Sequence, residues 1–193
     1  MSGSQKSKKP RKYWSSEARD FIINTMKEGQ QALSRLFDLS PNYLPEIIHS
    51  LNDKTFHYDT YLKKVEIPVP KLAKSFPVSV SVEDFIGYHV DAGVKGQYIF
   101  NVEFPTFLFI AGIEESVHHL QYIQHPKVTS RILNFSKYHL LTPLEKVLCS
   151  HEVEARGIAD SVLINEGRQP IWKRFDEYMK NNFSDKYNKP YSE

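Results

Sequence analysis

Hydrophobic positions change their period twice along this chain. Ile22, Met26, Leu33 and Leu36 recur at helical spacing. They follow Ser15 and Ser16, either of which suits an N-cap, and Glu17 sits where the helix dipole favours an anion. The spacing predicts a first helix to about residue 37, ended by Pro41, with a short helical turn over residues 45–51. From residue 56 to 103 the period falls to two. Val65, Ile67 and Val69 alternate with Glu66 and Pro68, and Val78, Val80 and Val82 with serines. Pro68 and Pro70 point to a sheet edge, and a glycine-containing connection at 91–96 reads as a hairpin turn. Beyond Pro105 helical spacing returns, with Ile110, Ile113, Val117 and Leu120 on one face as far as Gln124. Thr142-Pro143-Leu144-Glu145 reads as a capping box with proline at the first helical position. The helix it opens carries Leu148, His151, Ala155, Ile158 and Val162, and Gly167 closes it; Ile171, Phe175 and Tyr178 mark a last helix.

This pattern predicts an α+β fold: an N-terminal helix, a small antiparallel sheet, and a C-terminal helical half in which two facing helices carry a Glu/His cluster. Residues 14–182 form the expected single domain, between a disordered basic tail at 1–13 and a polar tail at 183–193. With 40% hydrophobic side chains in 193 residues, the chain has material for a core of its own. The longest apolar run, residues 107–113, falls far short of the ~18 residues of a membrane span. No hydrophobic segment follows the basic N-terminus, and Cys149 is the sole cysteine, so a cytoplasmic protein with no membrane partner is expected.

The formal charge of +2 divides unevenly. Five of the 25 basic side chains lie in residues 1–12, which leaves 20 against 23 acids, a net of −3 on the body. Lys8, Lys9, Arg11 and Lys12 are the side chains through which such a tail would contact nucleic acid phosphates.

The chemistry gathers in the C-terminal half. Glu114-Glu115-Ser116-Val117-His118-His119-Leu120-Gln121 places Glu114 and His118 one turn apart on one helix face, with Glu115 beside them. His119 is a further candidate on the same helix. A third ligand must come from the next helix, which offers His151, Glu152 and Glu154. On the helical stripe His151, Glu154 and Ile158 share a side, whereas Glu152 falls with Glu145 and Arg156 on the outer face. An acid on an inward apolar face is costly unless paired or ligating, which favours Glu154.

The run from Glu114 to Gln121, followed by Glu152-Val153-Glu154-Ala155, resembles the minimal zincin metallopeptidases over roughly residues 55–165. Those proteins carry His-Glu-x-x-His on one helix and a Glu-x-Glu-Ala segment on a second. The resemblance implies a metal-dependent peptidase acting on peptide or protein, with Glu115 as general base and His118 and Glu154 as ligands. The chain departs from the family where Glu114 replaces the first histidine. Carboxylates bind zinc, so a Glu114/His118/Glu154 set is possible chemically, and its extra negative charge also suits manganese or iron. The same departure leaves a second reading, a metal-free binding or accessory protein that keeps the fold. Glu115-x-x-His118 is also half of a di-iron carboxylate signature, but a central sheet and the lack of a second copy argue against a four-helix bundle.

Overall fold

The computed structural model describes residues 16–50, 57–68, 79–81, 101–130, 150–173 and 177. The order is α1 (Ser16–Phe37), a 3-10 turn (Pro41–Tyr43), β1 (Glu46–Ser50), β2 (His57–Asp59), β3 (Lys64–Pro68), β4 (Ser79–Ser81), β5 (Asn101–Glu103), α2 (Phe104–Gln124) and α3 (Ser150–Asn165). The fold is α+β. The expected turn at 91–96, the capping box at 142–145, most of the last helix and both tails lie outside the described residues.

Two sequence expectations are corrected. Residues 46–50 form a strand, not a helical turn. The larger sheet is mixed rather than antiparallel, with order β1-β3-β2. Parallel pairing sets Ile47 opposite Val65 and Ser50 opposite Pro68, while the β2–β3 hairpin sets Tyr58 opposite Val65. The edge expected from the prolines is also revised: β3 is the central strand. Among the described residues its ladder with β2 covers Lys64 to Glu66, and Pro68 pairs with Ser50 of β1. The hairpin loop is held by Leu62 N–H donating to Asp59 Oδ1 at 2.6 Å, with Lys63 in the left-handed region at φ 55°. A second, antiparallel pair joins β4 to β5, and the chain runs from β5 directly into α2, whose first turn carries Pro105.

Helices α1 and α2 form the middle layer. On one side Ile22, Met26, Leu108 and Ala111 pack against Ile47, Tyr58, Val65 and Ile67 of the mixed sheet. On the other, Leu33, Ile110, Ile113 and Val117 pack against Ala155, Ala159, Val162 and Leu163 of α3. Two glycines bring α1 and α2 to backbone contact: a Cβ on Gly29 would lie 2.1 Å from the carbonyl oxygen of Phe109, and one on Gly112 would lie 2.1 Å from that of Met26. Gln30 bridges the layers by donating to Pro45 O and to Ser116 Oγ, both at 3.0 Å, and Ser116 in turn donates to Gly112 O. This buried polar set is therefore satisfied.

Helix α3 ends as its glycine predicts. Gly167 adopts φ 69°, Arg168 N–H donates to Leu163 O and Gly167 N–H to Ile164 O, which is a Schellman motif. The chain then folds back onto α3. Asp160 Oδ1 accepts from the N–H groups of Ile171 and Trp172, and Oδ2 from that of Lys173. No helix among the described residues is long and apolar enough to cross a membrane.

Candidate metal centre

Helix α2 turns two adjacent histidines toward different layers. His119 faces the sheet, where its Nδ1 lies 2.8 Å from Tyr58 Oη and the rings meet edge to face. Burial first, then the Lys63 charge, hold the His119 imidazole below its ordinary value, and burial pushes the Tyr58 phenol up to about 12. His118 faces α3. Its Nε2 stands 3.5 Å from Glu152 Oε2, and His151 Nε2 stands 3.2 Å from Glu152 Oε1. One ligand atom from each of these three residues falls within 4.8 Å of the others. Four ligands around zinc at ~2.0–2.1 Å would stand ~3.4 Å apart in a tetrahedron, so the spacing already approaches that of a coordination shell. The group is able to hold a metal ion.

The electrostatics of the cluster are those of a site built for positive charge. Burial opposes charging His118, yet the charge and hydrogen bond of Glu152, the charge of Glu115 and the hydrogen bond with Gln121 outweigh it and push the imidazole up to about 10. Burial likewise opposes charge on Glu152, but the two imidazoles hold its carboxyl well below the usual range. Glu114, one turn before His118, is pushed up to about 8 by burial and by the Glu152 charge, against the pull of His118 and Arg156. Its Oε1 is shut off from solvent and has no hydrogen-bond partner among the described residues. Such a buried oxygen costs free energy unless something binds it. The site nevertheless reaches the surface, since the Glu152 side chain is 38% exposed.

Gln121 stands behind the cluster. Its Nε2 donates to His151 O at 2.9 Å and to Glu154 Oε2 at 2.7 Å. Both partners only accept, so the amide orientation is settled and Oε1 faces His118 Nδ1 at 2.9 Å. His118 Nδ1 therefore carries the hydrogen, and Nε2 is the atom presented to the cluster.

Of the candidates read from sequence, the structure brings together His118, His151 and Glu152, with Glu114 against them. Glu115 is half-buried beside them. Glu154, the favoured third ligand, is exposed and meets Gln121 instead, while the half-exposed Glu152 turns its carboxylate to His118 and His151. The reason lies in α3, whose buried residues are Ala155, Arg156, Ala159, Asp160, Val162 and Leu163. Glu152 continues that stripe at spacings of three and four. Arg156 had marked this side as wet, but it packs over the Trp172 ring, and Asp160 on the same stripe caps backbone N–H groups. His119 belongs to the sheet interface. Gln121 was missed altogether; its signal was a polar side chain one turn from Val117 and three residues from His118. Lys8, Lys9, Arg11 and Lys12 lie outside the described residues. No protein-family model, curated protein or solved structure matches the chain.

Proposed function

We propose that this chain is a metal-dependent hydrolase in which His118, His151 and Glu152 hold a divalent ion, zinc in preference to manganese or iron. The observation that carries the reading is the convergence of two imidazole Nε2 atoms on the two oxygens of one carboxylate. Two histidines and a glutamate are a donor set suited to zinc with a position left open. The orphaned Oε1 of Glu114 fits a proton acceptor or an outer hydrogen-bond partner beside such an ion. An ion held there supplies Lewis acidity, making a water nucleophilic near neutral pH and polarising a carbonyl. Glu114, one turn before His118, would be the carboxylate placed to take a proton from that water. This reading moves the base from Glu115, where the zincin resemblance implies it, to Glu114. A peptide amide is the substrate that the resemblance implies.

A metal-free reading is favoured by one observation. His118 and Glu152 stabilise each other's charged forms, so the pair can lock α2 to α3 with no ion present. Metal content by mass spectrometry on untagged protein separates the two. About one equivalent of zinc, lost in both His118→Ala and His151→Ala, is expected of a three-ligand site. No metal after incubation with excess divalent ions would overturn the hydrolase reading.

A further inference from the structure

We propose that Gln121, anchored by Glu154, is the positioning residue that presents His118 Nε2 to the metal; the proposal rests on the metal-site reading above. One amide touches both helices of the site. Its oxygen accepts from His118 Nδ1–H on α2, and its two N–H bonds go to the His151 carbonyl and the Glu154 carboxylate on α3. Both N–H donors and the oxygen of the amide are thereby engaged, and the residue is buried, with 8% exposure. Turning the amide over would face its nitrogen toward the Nδ1 hydrogen and its oxygen toward two acceptors, so the arrangement has a single sense.

The chemical consequence runs along the chain of bonds. The Glu154 charge polarises the amide, the amide oxygen becomes a stronger acceptor, and the imidazole becomes a better electron-pair donor at Nε2. Carboxylates commonly perform this service for metal-bound histidines directly; here an amide is interposed. The bond to the His151 carbonyl adds a second effect. It fixes the backbone of one ligand residue relative to the ring of the other, so the gap between the two imidazoles, 5.3 Å between centroids, is set by Gln121 as well as by the helices. Glu154, which sequence places among the ligands, thus acts from behind one.

The test uses the full chain stripped of metal. Zinc affinity is measured by competition with a chromophoric chelator, and the His118 Nδ1–H resonance is followed by 15N-edited NMR before zinc is added. In the wild type that resonance should be protected from exchange. Gln121→Leu should lose the protection and bind zinc about 10–100-fold more weakly, the usual effect of removing an outer-sphere partner. The exchanged pair, Gln121→Glu with Glu154→Gln, keeps an acceptor for Nδ1–H and returns an N–H donor from position 154. It should recover most of the lost affinity, which a residue needed only for packing would not do. Retention of the protected Nδ1–H in Gln121→Leu, or wild-type zinc affinity in it, would overturn the proposal while leaving the metal site standing. If Gln121→Leu does not fold, the exchanged pair decides, and a loss there of more than about tenfold overturns the proposal. Absence of zinc binding by the wild type would overturn the metal reading and the proposal with it.

Discussion

Two alanine substitutions of helical glycines should act in opposite directions. On Gly112 a Cβ would meet the oxygen of Met26 at 2.1 Å, its carbonyl carbon at 2.7 Å and its Cα at 2.8 Å. The first contact falls about 0.9 Å short of the 3.0 Å below which real Cβ atoms essentially never approach. The obstacle is a helix backbone, which cannot swing aside as a side chain can, so α1 and α2 must part. A gap of ~0.5–1 Å forfeits a quarter to a half of each dispersion contact across the seam. Overpacked cores typically lose ~1–3 kcal/mol, and a rigid obstacle belongs at the upper end. The gain in helix propensity from Gly to Ala returns about 1 kcal/mol. Gly112→Ala should therefore be destabilised by about 2 kcal/mol, lowering Tm by roughly 4–8 °C in a domain of this size. Gly157 sits mid-helix in α3 with nothing within 4 Å of an added Cβ. Gly157→Ala keeps only the propensity gain and should raise Tm by about 2–4 °C. Gly29→Ala should resemble Gly112→Ala, and the double variant should lose less than the sum, because the seam opens once. Urea denaturation followed by circular dichroism reads all four. A Gly112→Ala midpoint at or above the wild type would refute the backbone-contact argument.

The metal-free protein should lose stability as pH rises from about 6 to 10. His118 contributes fully below its ordinary 6.5 and ceases to as pH passes about 10, while Glu114 becomes costly to ionise between 4.5 and about 8. Glu152 acts in the other direction, contributing above 4.5 and losing that contribution on acidification. Zinc requires deprotonated histidine, so its stabilising increment should grow across pH 6–8, with protons released on binding; a metal-free Tm that climbs from pH 6 to 9 would contradict the site's electrostatics. Asp160→Ala should orphan three backbone N–H groups, costing about 3 kcal/mol. Hydrogen exchange at the Ile171 and Trp172 amides should rise with it, and unchanged protection there would show that the segment is held by something else.

The helices were the legible part of this fold because their signal is local. The stripe of Ile110, Ile113 and Val117 forms the buried side of α2, and Gly167 marks the end of α3. Strand β1 was not legible: of its five residues only Ile47 is buried, and its partner β3 lies beyond an intervening strand, so neither alternation nor a turn announces it. His118 was found by its spacing from Glu114. Glu152 was read as an outer-face residue from its polar neighbours; its side chain is 38% exposed yet directed at His118 and His151. Arg156 and Asp160 are buried polar groups whose contacts, an indole ring and a returning stretch of backbone, come from residues that spacing along α3 cannot reveal.

The glycine contact between α1 and α2 also sets an angle. Neighbouring residues on a helix differ by about 100° in direction, and on α2 that interval separates an imidazole facing α3 from one facing the sheet. A binding constellation tolerates only ~10–20° of misalignment. With Gly112 pressed on the Met26 carbonyl on one side and Phe109 on Gly29 nearby, α2 has no freedom to roll about its axis. The aim of His118 is thus fixed by a residue six positions away that offers no chemistry of its own.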